Sequence, residues 1–272
     1  MVGLSLGKGG MGNSRPLGCA WYLTGVCNYR CPYCYDQAKP ETHPTVDMAD
    51  VELIFGALTE RRGPLEIALT GGEPSLHPAF EALLSYFSRN GHALLVSTNL
   101  SRGPEPFLRA VARPERCSIN ASFHPSHANI DQFGRSLQRL AEAGFPISPS
   151  YVLYPPNAAM LPRYEEKLRA YLSDVSLVGM TFVGEHGGVR HPLPPAGVPA
   201  AGGVPPGRYC RAGQDYFAIL ADGTIVRCVE GVPLRGDHWP LVHLDDRPAP
   251  CPSPHCFCSS MHHLWVDGTS PA

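Results

Sequence analysis

The sequence lacks the features that would direct a protein to a membrane or to a polyanion. No run of about 18 apolar residues is unbroken in its 272 residues, and the glycine-rich start has no long apolar stretch after a basic cluster. The two signs of charge nearly balance, with 22 Lys and Arg against 24 Asp and Glu and a net charge of −2. We therefore expect a cytoplasmic globular protein that binds neither nucleic acid nor a membrane surface.

Cysteine, by contrast, is plentiful, with ten in the chain. Disulfides are rare in the cytosol, so this number points to metal or redox chemistry. Only Cys19 and Cys117 stand apart from the others. The first group is Cys27, Cys31 and Cys34, and the second group is Cys210, Cys228, Cys251, Cys256 and Cys258. Two sets of metal ligands are implied.

Short apolar runs alternate with helix-like segments between about residues 20 and 184. This alternation predicts an α/β fold in which six βα units form a partial (β/α)6 barrel around a parallel sheet. The predicted strands are Ala20–Val26, Leu65–Thr70, Ala93–Thr98, Cys117–Phe123, Ile147–Tyr154 and Ser176–Val183. Reactive groups of such folds lie at the C-terminal ends of the strands. The first cysteine group falls there, directly after the first strand.

A change in composition predicts a domain boundary after residue 186. The segment 187–207 is dense in glycine and proline, so we expect an extended connector without helix or central strand. The barrel would then comprise residues 1–186, and residues 208–272 would form a small second domain.

Within that second domain, a turn signal predicts a β-hairpin. Asp222-Gly223 lies between the strand-like runs Tyr216–Leu220 and Thr224–Cys228. Cys210 and Cys228 bracket this hairpin, so the hairpin would bring two members of the second cysteine group together.

The C-x3-C-x2-C spacing of the first group places three thiolates on one loop. Such a loop can bind three irons of a cubane and leave the fourth iron open to another ligand. A zinc knuckle is the alternative, but zinc sites normally use four ligands at paired spacings. The nearest histidine, His43, lies well past the triplet.

This pattern resembles the radical S-adenosylmethionine (SAM) superfamily, including the aromatic Tyr33 before the last cysteine. A second hallmark follows the second predicted strand: Gly71, Gly72, Glu73 and Pro74 resemble the motif that holds the amino group of SAM in that superfamily. The resemblance implies that a 4Fe-4S cluster on the first cysteine group binds SAM and cleaves it to a 5'-deoxyadenosyl radical. It also implies a flavodoxin- or ferredoxin-type electron donor.

Polar residues at the ends of later strands complete the candidate site. By the resemblance, the contacts to the ribose and carboxylate of SAM would be Ser97, Asn99 and Ser122. Ordinary turn residues that cap helices are the alternative. The candidates for a general base or substrate anchor are His124, Glu185 and His186, with Tyr154 and Arg190. Residues of these types often only hydrogen-bond to loops.

The second cysteine group, with its Gly223-x4-Cys228 element, resembles the twitch extension, a shortened relative of the SPASM domain. That resemblance implies a second, auxiliary 4Fe-4S cluster held by cysteines around the hairpin and by two later ones. Three later cysteines are present, so one thiol is surplus. A full SPASM domain is not expected, because five cysteines are too few for its two clusters. The alternative is a zinc ribbon. The surplus thiol could be structural, could replace a neighbouring ligand, or could donate hydrogen to a substrate radical, as in an epimerase.

The resemblance implies a biosynthetic tailoring enzyme that abstracts hydrogen from a small metabolite or a peptide. Oxidation, crosslinking and epimerisation all suit it. About 19 residues precede the first predicted strand, too few for the leader-binding domain of many peptide-modifying relatives, and the chain ends without the Gly-Gly tail of molybdopterin cyclases. The alternative is a non-catalytic iron-sulfur or zinc protein on the same fold. An electron carrier, however, has no need of a SAM-binding motif.

Overall fold

The computed structural model describes residues 15–34, 41–174, 176–181, 184–186, 189–191, 209–228 and 233–250. Its strands are β1 (Gly18–Thr24), β2 (Glu66–Gly71), β3 (Ala93–Thr98), β4 (Cys117–Phe123), β5 (Ile147–Leu153), β6 (Val178–Thr181), β7 (Gly184–His186), β8 (Val189–His191), β9 (Tyr209–Cys210), β10 (Tyr216–Ile219), β11 (Thr224–Val226), β12 (Pro233–His238) and β13 (Ala249–Pro250). Its α-helices are α1 (Met48–Arg62), α2 (Phe80–Arg89), α3 (Glu105–Ala110), α4 (Ile130–Glu142), α5 (Pro155–Ala158) and α6 (Leu161–Arg169).

The strands β1 to β6 lie side by side in chain order, and each is parallel to the next. Helical connections join them, because parallel neighbours need a crossover that returns the chain to the same end of the sheet. The predicted partial barrel is therefore confirmed. The six predicted strands agree with the observed ones to within about two residues at either end, the usual uncertainty of such limits.

Every second residue of the barrel strands packs against the helices in one continuous apolar core. On β4 these residues include Cys117, Ile119 and Phe123, and α1 contributes Phe55. The isolated cysteines lie in this core, where burial raises the pKa of the Cys19 thiol and raises the pKa of Cys117 to about 12. Both thiols therefore stay protonated and act as small core side chains.

Two glycines end helices of the barrel. Gly91 follows α2 and Gly144 follows α4, each with a positive φ, the conformation that allows a helix to end in a tight turn. Among the described helices, none is both long enough and apolar enough to span a membrane.

The predicted hairpin is formed by β10 and β11, with Ala218 opposite Val226 and Ile219 opposite Ile225. It extends the barrel sheet, because β10 is parallel to β1 and pairs with it along its free edge. The nine-stranded sheet has the order β12-β11-β10-β1-β2-β3-β4-β5-β6. The two-domain division stays a prediction, and the hairpin assigned to the second domain is hydrogen-bonded to the first.

Residues 189–191 of the predicted connector form β8, which pairs antiparallel with β7 in a two-stranded ribbon and is neither helix nor a central strand. These three residues, Val189, Arg190 and His191, include no proline, so all three backbone N–H groups can take part in pairing. The rest of the connector, residues 192–207, lies outside the described residues.

Candidate active site

The three cysteines of the first group lie on the loop that leaves the C-terminal end of β1. Cys31 is buried, and Cys27 and Cys34 are partly buried. The Cys34 N–H donates to the Cys31 carbonyl at 3.1 Å, and the Tyr29 N–H donates to Sγ of Cys27 at 3.4 Å. Three thiolates on one short loop suit a cubane cluster that keeps one iron open.

The described residues contain no group of three His, Cys, Asp or Glu side chains that converges as the ligands of a single metal ion would. A cubane does not require such convergence, because each thiolate binds a different iron. His43, the nearest histidine, is engaged elsewhere: its Nδ1 lies 3.0 Å from Oγ1 of Thr24 at the end of β1.

The Gly-Gly-Glu-Pro segment ends β2 and lies against the start of the cysteine loop. The Gly72 N–H donates to the Thr24 carbonyl at 2.7 Å, and the Glu73 N–H donates to the Val26 carbonyl at 2.8 Å. A Cβ atom on Gly71 would lie 2.2 Å from the Thr24 carbonyl oxygen, and one on Gly72 would lie 2.2 Å from that of Val26. Only glycine fits at both positions, so the two glycines allow the two hallmark segments to touch.

The Glu73 carboxylate lies fully buried behind this contact and accepts four hydrogen bonds. Oε1 accepts from the N–H of Ser75 at 3.1 Å, from the Ser75 hydroxyl at 2.5 Å and from the Thr98 hydroxyl at 2.8 Å, and Oε2 accepts from the Asn99 N–H at 2.6 Å. Burial raises the pKa of Glu73, and these hydrogen bonds oppose that shift. The carboxylate thus joins the end of β2 to the end of β3. Its predicted contact with SAM stays a prediction.

Asn99, a predicted SAM contact, faces the cysteine loop. Its Nδ2 donates to Oδ1 of Asn28 at 3.1 Å and lies 3.9 Å from Sγ of Cys27. Its Oδ1 accepts from the Ser101 N–H at 2.9 Å, which fixes the orientation of the amide. The C-terminal end of β3 therefore contacts the same loop as the end of β2.

The predicted contacts Ser97 and Ser122 alternate along β3 and β4 with residues of the helix-packed core, so they lie on the opposite face of the sheet. The Ser122 hydroxyl is 3.0 Å from the Ser150 hydroxyl on β5. Asn120, which pairs in register with Ser97, completes this polar surface. Asn120 and Ser150 were not among the residues predicted from the sequence. The two-residue period of strands would have found Asn120, because residues two apart share a face.

His124, a predicted substrate contact, packs against the cysteine loop and hydrogen-bonds to it. Its Nδ1 lies 3.0 Å from Oη of Tyr33 and 3.4 Å from Sγ of Cys31, and its ring stacks on Tyr33. Tyr154 at the end of β5 contacts Tyr33 as well, with ring centroids 5.2 Å apart. Burial, the charge of Cys31 and a hydrogen bond to it raise the pKa of Tyr33, so its hydroxyl keeps its proton. The contact of His124 with a substrate stays a prediction.

The other two predicted catalytic residues, Glu185 and His186, lie on β7. Their backbones pair with Arg190 and Val189 of β8. They belong to a separate two-stranded ribbon that follows the last barrel strand.

Two members of the second cysteine group lie close to β1. Cys210 on β9 and Cys228 after β11 pack in a small apolar cluster with Ala20 of β1. Strand β13 pairs with β9, and Pro250 of β13 is joined directly to the next cysteine of the group. That cysteine and the two after it, Cys251, Cys256 and Cys258, lie outside the described residues.

Arg227 connects the segments around this second group. Its Nε donates to the Ala212 carbonyl at 3.0 Å and lies 3.2 Å from the Asp245 carboxylate. Its Nη2 reaches the Cys210 carbonyl at 3.5 Å. One guanidinium therefore contacts the segment after β9 and the segment before β13.

The family model of the Radical SAM superfamily matches residues 21–157, just over half of the chain. The matched segment holds both hallmark motifs and runs from the middle of β1 past the end of β5. The chain therefore belongs to the Radical SAM superfamily, and membership implies a 4Fe-4S cluster and SAM as cofactors.

Curated relatives share this segment at modest identity. GTP 3',8-cyclase of Shewanella denitrificans is 26% identical over 137 residues, which cover 45% of this chain and 40% of that protein. Mycofactocin maturase MftC of Mycobacterium tuberculosis is 26% identical over 164 residues, which cover 56% and 42%. The chain thus spans less than half the length of these relatives.

Among solved structures, SuiB of Streptococcus suis, bound to its precursor peptide SuiA, superposes with a TM-score of 0.53. The match has 16% sequence identity and covers 79% of this chain and 60% of that one. At this identity the similarity shows a shared fold.

Proposed function

We propose that this protein is a radical SAM enzyme that modifies a peptide in a biosynthetic tailoring step. The observation that carries this proposal is the contact between the three-cysteine loop and the Gly-Gly-Glu-Pro segment. When bound, the cluster and SAM supply a one-electron cleavage that yields a 5'-deoxyadenosyl radical, which abstracts hydrogen from the substrate. The protein has to hold both cofactors, orient one substrate C–H bond and exclude water.

Different groups of the described residues would perform these tasks. Cys27, Cys31 and Cys34 would hold the cluster. The Gly71-Gly72 turn and Asn99, which lie against the cysteine loop, would border the space for SAM. The polar face around Ser97 and Ser122 would orient the ribose and the substrate, because its hydroxyl and amide groups can donate and accept hydrogen bonds.

A peptide is the substrate class that we favour over a nucleotide. One of the relatives carries the name of a maturase, and a neighbour in fold was solved with a precursor peptide. Strand β6 ends the described sheet, and its residue Val178 is 48% exposed. Extended peptides often bind by adding a strand to such an edge.

Deuterium transfer tests this proposal directly. The reconstituted protein is incubated with SAM, dithionite and either a peptide extract or a nucleotide extract of deuterated cells, and 5'-deoxyadenosine is analysed by mass spectrometry. Deuterium in 5'-deoxyadenosine from the peptide extract alone supports the proposal. Transfer from the nucleotide extract alone would overturn the substrate class and favour chemistry closer to that of the GTP cyclase relative.

We also propose that the second cysteine group binds an auxiliary 4Fe-4S cluster. Cys210 and Cys228 would supply two ligands, and two of Cys251, Cys256 and Cys258 would supply the others, which leaves one thiol surplus. The shared apolar cluster of Cys210 and Cys228 and the pairing of β13 with β9 support this assignment. A flavodoxin- or ferredoxin-type protein would deliver the electrons.

Iron analysis of a Cys228→Ala variant tests the auxiliary cluster. The wild-type protein should hold about eight irons and the variant about four, with some SAM cleavage retained, because each cubane holds four irons. An unchanged iron content would contradict the assignment. Tightly bound zinc with about four irons in the wild type would show that the second group is a zinc ribbon.

A further inference from the structure

His124 is the first residue after β4, and its ring reaches a loop more than ninety residues earlier in the chain. Its Nδ1 lies 3.4 Å from Sγ of Cys31 and 3.0 Å from Oη of Tyr33. Both partners are buried, with Cys31 7% exposed and Tyr33 8% exposed. Water therefore competes little for these hydrogen bonds, which makes each of them electrostatically stronger than at a surface.

The imidazole is fixed in place on several sides. Tyr33 stacks on it at a centroid distance of 5.8 Å, and Tyr29 meets it edge-on at 5.7 Å. The His124 carbonyl accepts from the N–H groups of His127 and Ala128, both at 2.9 Å, which closes the turn after β4. The orientation of Nδ1 toward the cysteine loop thus follows from packing as well as from hydrogen bonding.

The chemistry of a cluster ligand decides which of these atoms carry protons. Cys31 binds iron as a thiolate, so its sulfur can only accept. Tyr33 forms a hydrogen bond with this sulfur, and because the sulfur can only accept, the tyrosine hydroxyl is the donor. Nδ1 of His124 lies 3.4 Å from the same sulfur and has to be a donor as well, because an unprotonated Nδ1 would turn a lone pair toward the thiolate.

We propose that His124 and Tyr33 are positioning residues that donate hydrogen bonds to the Cys31 thiolate and raise the reduction potential of the cluster it would hold. This inference rests on the proposed function. Hydrogen bonds to the sulfurs are one of the factors that set the potential of an iron-sulfur cluster. They draw electron density from the thiolate, so they favour the reduced cluster, which is the form that SAM cleavage needs.

A redox titration of the loaded protein, followed by electron paramagnetic resonance, tests this inference. The titration follows the signal that changes when SAM is added, which separates this cluster from an auxiliary one. His124→Leu and Tyr33→Phe should each lower the reduced-to-oxidised ratio at a given potential by up to about tenfold, which corresponds to about 59 mV for one electron. His124→Asn, which keeps an N–H donor, should restore most of the wild-type potential.

His127→Leu is the matched control, because His127 belongs to the same turn but stacks on Tyr29. Its potential should equal that of the wild type. If His124→Leu loads iron normally and titrates like His127→Leu, the inference is wrong. If His124→Leu fails to load iron, the potential of Tyr33→Phe tests the inference by itself, since that change removes only a single oxygen. Failure of the proposed function would look different: Cys31→Ala would then retain the SAM-responsive signal.

Discussion

At the scale of single residues, the buried His92 makes the stability of the fold depend on pH. His92, which precedes β3, is 1% exposed, and its Nδ1 accepts from the Leu65 N–H at 2.9 Å. Its Nε2 has no hydrogen-bond partner among the described residues. Burial, with the nearby Arg116 cation adding to it, lowers the pKa of His92 to about 4.

Acid should therefore destabilise the protein through His92. Because the folded-state pKa lies below the usual value of 6.5, the unfolded chain binds the proton more tightly, and stability present above pH 6.5 is lost as the pH falls toward 4. The loss attributable to this group should approach about 3 kcal/mol. Urea unfolding of the wild type and of His92→Asn, which keeps an acceptor for Leu65, should show a flatter pH dependence in the variant. If the free energy of unfolding depends on pH equally in both proteins, the attribution to His92 is wrong. A change of the exposed His127 to Asn is the control.

The two glycines of the hallmark motif give a second prediction at this scale. Gly72→Ala should destabilise the protein by about 1–3 kcal/mol and impair SAM binding, because the added methyl group meets the Val26 backbone. Gly56→Ala is the matched control, since a methyl group added to Gly56 in α1 would meet none of the described residues within 4 Å. That change should be neutral or stabilising by up to about 1 kcal/mol. Thermal unfolding and SAM titration of both variants test this prediction. Equal stability and equal SAM affinity of the two variants would contradict it.

At the scale of elements, the hairpin β10–β11 is attached to the barrel by more than its pairing with β1. Nη2 of Arg62 at the end of α1 lies 2.5 Å from the Asp215 carboxylate, which precedes β10, and Nη1 donates to the Gln214 carbonyl at 3.1 Å. Arg211 reaches the other oxygen of Asp215 at 3.1 Å. The Asp215 side chain is 12% exposed, so these charges are only partly screened by water.

Asp215→Asn should accordingly loosen the hairpin. We expect a loss of about 1–2 kcal/mol in the free energy of unfolding and faster amide exchange in β10 and β11, because two cations lose their carboxylate. Glu81→Gln, which breaks the exposed pair with Arg109, should cost at most about 1 kcal/mol. Hydrogen exchange measured by mass spectrometry distinguishes the two variants, and identical hairpin protection in both would count against this attachment.

Elements with a strong local pattern were predictable, and those defined by distant partners were not. The strands β1 to β6 and the hairpin follow from apolar runs and turn residues. The short strands β9 and β13 pair across residues far apart in the chain, which leaves no local periodicity. The parallel pairing of β10 with β1 and the contact of His124 with Cys31 were missed for the same reason.

At the scale of the molecule, β1 joins the hairpin side of the sheet to the rest of the barrel. Its C-terminal end leads into the cysteine loop, one neighbour is β2 with the Gly-Gly-Glu-Pro segment, and the other neighbour is β10 of the hairpin. The change in composition predicts that the two cysteine groups belong to separate domains. Cys210 and Cys228, the described members of the second group, pack with Ala20 of β1, so a change in the packing of β1 would affect them as well as the first group.

SAM cleavage by a pair of cysteine variants tests the central claim most directly. Cys31→Ala and Cys117→Ala both remove a buried thiol, but only Cys31 lies on the loop of the first cysteine group, whereas Cys117 packs in the helix-facing core. After anaerobic reconstitution, with SAM and dithionite, the wild type and Cys117→Ala should form 5'-deoxyadenosine and Cys31→Ala should form none while remaining folded. Continued formation of 5'-deoxyadenosine by Cys31→Ala, or none by an iron-loaded wild type, would contradict the account.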